Sequence, residues 1–143
     1  MTEPVVTVSD AEDAAAETAI RGGLRAHNHA MLGTPSDIRP LQVVVRDPAT
    51  NAPLGGVLGH TLRGLLFVDF VYLPEALRGT GLAARMLGMA EDEAKRRGCT
   101  AAVLYTLNPK SATFYTRVGY RAFGAVEVAP PGSSRTYMSK VLG

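Results

Sequence analysis

The sequence predicts a mixed α/β fold in a single domain over residues 1–143, and three observations predict it. First, 143 residues with 46% hydrophobic and 20% charged side chains suffice for one sizeable core and not for two. Second, short β-branched and apolar runs bounded by Gly, Pro and Asn turns alternate with amphipathic helical segments. Third, residues 65–106 read as strand, glycine-rich turn, helix and strand, a unit that makes a parallel, right-handed crossover. Only a mixed α/β class accommodates all three.

Taken in order, Val5, Val6 and Val8 form a short strand, and Ser9 or Asp10 caps a helix that starts near residue 10. Gly22 and Gly23 should break or bend that helix, with further helical turns at residues 24–32. Pro35 and Pro40 bracket a loop. Residues 41–46 and 54–61 make a hairpin around Asp47, Pro48 and Asn51, in which Gly55 and Gly56 weaken the second strand or mark a bulge. Arg63-Gly64 turns the chain into a strand over residues 65–73.

The helix from residue 81 to about 97 places Leu82, Met86 and Ala90, with Ala83, Leu87 and Ala94, on its apolar face, and Gly98 ends it. Cys99 opens the next strand, residues 100–106, and is expected to pack in the core. Asn108-Pro109 is a cap followed by proline at the first helical position, and the helix it starts runs to Gly119. Residues 120–128 and 135–142 are two closing strands around Pro130-Pro131-Gly132. The expected order is strand, helix, three strands, helix, strand, helix, two strands.

Composition narrows the function. A net charge of +2 without a basic block argues against nucleic-acid or membrane partners. One cysteine and three scattered histidines speak against a disulfide framework and a metal cluster. The N-terminal stretch carries Glu3, Asp10, Glu12 and Asp13 rather than a basic leader, so a cytoplasmic protein is expected.

The chemistry concentrates in residues 65–84, where an apolar strand passes through Leu73-Pro74-Glu75 into Arg78-Gly79-Thr80-Gly81 and a helix opens at Leu82-Ala83. Unpaired N–H groups and the positive end of the helix make such a turn an anion site, and glycine lets the main chain approach a phosphate. A nucleoside-triphosphate P-loop is excluded because no GxxxxGK[ST] occurs. A dinucleotide fingerprint fits loosely at residues 79–84, but no acid lies between Glu93 and Glu127 to hold a ribose.

Arg78-x-x-Gly81-x-Ala83 resembles the R/Q-x-x-G-x-G/A pyrophosphate loop of the GCN5-related N-acetyltransferase (GNAT) superfamily. Asn108-x-x-Ser111-x-x-x-Tyr115-x-x-x-Gly119-Tyr120 is similar to a second segment of that family, with Ser where Ala is usual. The resemblance covers roughly residues 40–142. It implies acetyl-CoA as cosubstrate and a central, mostly antiparallel sheet flanked by helices, whose fourth and fifth strands run parallel and splay apart. The pantetheine arm would enter that gap along Val71, Tyr72 and Leu73. Its pyrophosphate would sit on Arg78, Gly79, Thr80, Gly81, Leu82 and Ala83. Asn108 would contact the arm besides capping its helix, and Lys110 is a further candidate for the phosphates.

Acetyl transfer to an amine needs an acid for the departing thiolate and a way to deprotonate an alkylammonium of pKa about 10. The resemblance makes Tyr115 the acid; packing beside Phe114 and Val118 is the plainer role for it. Asp69 is the only carboxylate in the fourth-strand run. Strand alternation puts it on the face of Val71 and Leu73, where it would take the amine proton, bind the ammonium, or serve the structure alone. His27, His29, His60, Arg135 and Tyr137 are further candidates for an acceptor pocket. A small-molecule or protein amine is the implied acceptor, and a homodimer is a frequent state among family members. The rival functions are a non-catalytic CoA-binding module of this fold and a nicotinamide-dependent oxidoreductase.

Overall fold

The structure, a computed structural model, describes residues 2–143. The chain divides into an N-terminal unit ending at Ser36 and a second unit, Asp37–Gly143.

The N-terminal unit holds one helix, α1 (Ala14–Leu32). Asp13 caps it by accepting from Ala16 N–H at 2.9 Å, and Gly33 closes it in a left-handed conformation, its N–H donating to the His29 carbonyl at 2.9 Å. The helix runs unbroken through Gly22 and Gly23, against expectation. Each glycine costs about 1 kcal/mol relative to alanine, which the caps at both ends and the alanine-rich first turns offset. Residues 5–8 form no strand either, because β propensity without a ladder partner does not hold a strand in water.

The second unit is built on a six-stranded sheet in the order β1-β2-β3-β4-β6-β5, with β1 (Arg39–Arg46), β2 (Pro53–Leu62), β3 (Leu65–Tyr72), β4 (Ala101–Thr106), β5 (Arg121–Val128) and β6 (Ser133–Val141). Every pair is antiparallel except β3 and β4. The expected fourth and fifth strands are therefore β3 and β4. Pro40 lies within β1, as proline can on an edge strand.

Two helices follow the strands that position them: α2 (Leu82–Arg96) after β3 and α3 (Pro109–Arg117) after β4. Met86, Leu87, Ala90 and Ala94 of α2 are buried in one core with Val57, Leu66, Ala102 and Met138 from one face of the sheet. Arg97 fixes the far end of α2, donating to the carbonyl of Pro40 at 3.0 Å and to Thr61 Oγ1 at 3.2 Å. Cys99 is buried as expected, and burial pushes its thiol pKa up.

Two irregularities in β3 shape the site. It pairs with β4 only through Leu65, Leu66 and Phe67, so the strands part beyond Phe67. Its ladder with β2 also slips: Phe70 faces Leu58 and Val68 faces Gly59, which leaves Asp69 as the extra residue of a β-bulge. Gly59 makes room for this slip, since a Cβ there would lie 2.3 Å from the Phe67 carbonyl oxygen.

Candidate active site

A cavity of about 800 Å³ opens where β3 and β4 part, between the start of α2 and one side of α3. Val71, Tyr72, Leu73, Arg78, Gly79, Gly81, Ala83, Asn108 and Tyr115 all line it, so most of the residues singled out by the two motifs meet in one place. Thr80 and Leu82 do not line it: Thr80 Oγ1 donates to the Leu77 carbonyl at 3.2 Å, and Leu82 packs against the core. Their side chains brace the turn, while the main-chain N–H of Leu82 belongs to the first turn of α2.

The walls carry complementary chemistry. On one side, alternate backbone groups of β3 beyond Phe67 turn towards the gap with no β4 partner. At one end, Gly81 takes the N-cap position of α2 in a left-handed conformation (φ 82°) and offers no side-chain cap, leaving the first-turn N–H groups free. An added Cβ on Gly81 would meet nothing within 4 Å, so open space lies over those N–H groups. Arg78 holds the loop to the strand, its Nε donating to the Leu73 carbonyl at 2.8 Å. A group with an extended amide arm and a pyrophosphate fits this arrangement: β3 suits the arm and the α2 N-terminus suits the phosphates. Lys110 and Arg117 on α3 add positive charge to the same cavity.

Tyr115 enters from α3, which Asn108 starts by accepting from Lys110 N–H at 2.9 Å. Its ring packs edge-on against Phe114 and Tyr120, so the aromatic packing and the cavity position hold together. Tyr115 is 8% exposed, and burial pushes its phenol pKa up. A buried phenol that resists ionisation keeps its proton at neutral pH. Behind it, Glu91 on α2 accepts from Tyr120 Oη and from Lys140 Nζ, both at 2.8 Å, and Lys140 also donates to the Val118 carbonyl at 2.9 Å. This buried network ties α3 to α2 and β6. Its sequence signal was the carboxylate Glu91 falling on the apolar stripe between Leu87 and Ala94.

Asp69 is not in the cavity and does not share the face of Val71 and Leu73, which corrects the expectation from alternation. The bulge turns it to the opposite face of the sheet, where its Oδ2 lies 2.8 Å from His60 Nδ1. The His60 ring stacks on Phe67 at 4.6 Å between centroids, nearly parallel at 4°. The same face carries Tyr105 and Tyr137, whose neighbours Leu104 and Met138 point into the core. Arg135 lies over the Tyr105 ring at 4.1 Å, and its buried Nε has no hydrogen-bond partner among the described residues.

Comparison with known proteins agrees with this geometry. Residues 12–120 match the model of the acetyltransferase (GNAT) family. The chain is 43% identical over 133 residues to acetyltransferase Atu2258 of Agrobacterium fabrum, covering 93% of this chain and 96% of that protein. It is 34% identical over 89 residues to the blasticidin-S acetyltransferase of Streptomyces morookaense, covering 62% of this chain and 65% of that one. A crystal structure of an acetyltransferase from Agrobacterium tumefaciens superposes with a TM-score of 0.88 at 41% identity, over 96% of this chain and 99% of that one. With a parted parallel strand pair, a glycine turn at a helix start and a tyrosine in the cleft between them, the chain belongs to the GNAT family and is an acetyl-CoA-dependent acetyltransferase.

Proposed function

We propose that this protein, its residues 1–143 acting as one cytoplasmic acetyltransferase domain, transfers the acetyl group of acetyl-CoA to a primary amine by direct attack in a ternary complex. The observation that carries the reading is the meeting of an open strand edge, an uncapped helix start and buried Tyr115 in one cavity. When bound, acetyl-CoA supplies an acyl carbon activated as a thioester. The free N–H groups at the start of α2, with Gly79 and Gly81, hold its pyrophosphate, and Val71 and Leu73 align its arm. Tyr115 donates its proton to the departing sulfur. The basic side of the site is assigned to the face that carries Asp69, whose Oδ2 lies 2.8 Å from His60 Nδ1.

A small amine is the favoured acceptor class. The matched relative that acetylates blasticidin S supports it, as does the cation-bearing aromatic wall of Tyr105, Tyr137 and Arg135, which suits a compact, partly planar molecule. The test is thiol release from acetyl-CoA with an alkylamine, a polyamine, blasticidin S and a short peptide with a free N-terminus. Mass spectrometry of each amine should show one added acetyl group on a small acceptor. Acetylation of the peptide alone would move the acceptor to proteins, and release of thiol without any acetylated amine would replace amine transfer by hydrolysis.

A further inference from the structure

We propose that His60 is the catalytic base and that Asp69 acts through it as a positioning residue, an assignment that rests on the amine-transfer reading above. The geometry is local and specific. Asp69 Oδ2 lies 2.8 Å from His60 Nδ1. A carboxylate only accepts hydrogen bonds, so Nδ1 carries a proton, and in the neutral ring that leaves the lone pair on Nε2. The carboxylate thus has a partner already, while the imidazole presents a basic atom.

The ring is also held. His60 stacks on Phe67 at 4.6 Å, the last residue of β3 paired to β4, which sets the imidazole beside the point where the strands part. Asp69 reaches it only because of the bulge, and Gly59 is what lets the bulge close. A bulge that re-aims one side chain next to a cleft is a recurrent device of active sites. Along β3, Asp69 lies two residues before Val71, the first residue of the strand to line the cavity.

The direction of approach fits. The cofactor cavity is on the α2 and α3 side, whereas His60 projects from the other face, since its neighbour Thr61 and the nearby Val57 point into the core. An amine entering from that side would reach the gap along the face that carries the His60–Asp69 pair. The pair is accessible, with His60 and Asp69 side chains 28% and 40% exposed. From β3 the ring meets Asp69 and Phe67, and its ladder partner on β1 is the uncharged Pro40.

An N–H bond of the ammonium breaks and its proton passes to His60 Nε2. The freed lone pair forms the C–N bond to the acyl carbon, the C–S bond breaks with its electrons on sulfur, and the sulfur takes the Tyr115 phenol proton. The nitrogen then sheds a second proton, which restores the phenol through solvent, and His60 returns the first to solvent.

The experiment compares wild type, His60→Gln, His60→Ala, Asp69→Asn and the His60→Gln/Asp69→Asn double variant, using the fastest amine of the panel above. Acetyl-CoA affinity is measured by calorimetry and folding by thermal melting. His60→Gln keeps a donor for Asp69 but no basic nitrogen. Its kcat/KM should fall about 10²- to 10³-fold at neutral pH and recover as pH rises and solvent deprotonates the amine, with acetyl-CoA affinity unchanged. Added imidazole should restore part of the rate of His60→Ala. Asp69→Asn should cost less than His60→Gln and nothing further in its background. An undiminished Asp69→Asn effect in that background would make the carboxylate itself the base. An unshifted pH profile in His60→Gln would also overturn the assignment. A wild type that binds no acetyl-CoA or acetylates no amine would instead remove the reading beneath it, and the assignment with it.

Discussion

At its start β3 is an ordinary interior strand. Leu65, Leu66 and Phe67 pair with β2 on one side and β4 on the other, and Leu66 is fully buried. Beyond Phe67 the same strand keeps only β2, slips register at Asp69, and turns its free edge into a cavity that ends at the glycine turn of residues 79–81. The first half serves stability, where loss of a methyl group is felt at once. The second half leaves backbone groups without a strand partner, open to a ligand or to water. One strand therefore holds both a fully buried, doubly paired segment and an open backbone edge, and the step between them lies at residues 68–69.

That contrast can be broken from either half. The largest effect is expected at the ligand end. Gly81→Asp places a carboxylate at the uncapped start of α2, where the pyrophosphate is assigned, and should abolish acetyl-CoA binding in calorimetry. The fold should persist, because space around Gly81 is open and aspartate tolerates a left-handed backbone better than most residues. Binding of acetyl-CoA at wild-type strength would detach the glycine turn from the cofactor.

Tyr115→Phe comes next. The ring and its contacts with Phe114 and Tyr120 remain, and only the hydroxyl goes. Turnover should fall about 10²- to 10⁴-fold, with acetyl-CoA affinity and melting temperature little changed. A variant with full turnover would leave Tyr115 as a packing residue only.

At the structural end, Leu66→Ala should show the reverse pattern. Removing a fully buried leucine from the doubly paired segment should lower stability by about 2–5 kcal/mol. Below its melting transition the variant should bind acetyl-CoA as the wild type does. If affinity and stability fall together, the two halves of β3 are coupled rather than divided as described.

The fold and the meeting of the motif residues in one cavity were legible in the sequence because their signals are local. Glycine at fixed spacing, a cap followed by proline, and helical periodicity each occupy fewer than 20 residues and do not depend on distant partners. The other side was misread for the opposite reason. The bulge at Asp69 arises from how β2 and β3 settle against each other, so strict alternation put the carboxylate on the wrong face and hid its partnership with His60. The N-terminal residues failed similarly: Val5, Val6 and Val8 have strand propensity but no partner, and Gly22 and Gly23 are helix breakers overruled by good caps. Propensity is a weak vote where context decides.

The smallest effect concerns the network behind Tyr115 and is read from the pH dependence of stability. Burial, and for Tyr120 also the neighbouring Glu91 carboxylate, push the phenol pKa values of Tyr115 and Tyr120 up. Both therefore stay protonated in the folded chain after they would ionise in the unfolded one, at about pH 10. Their contribution is fully present below that pH and is lost as pH rises above it. The loss approaches about 1.4 kcal/mol per pH unit for each tyrosine that remains protonated. Tyr120→Phe removes the hydrogen bond to Glu91, so at pH 8 the variant should be less stable by about 1–2 kcal/mol. It also removes one alkaline liability, so the gap to wild type should narrow between pH 9.5 and 11 as measured by urea midpoints. A gap that stays constant over that range would mean that Tyr120 ionises in the folded state as readily as in the unfolded one, and that the Glu91 network does not hold its proton.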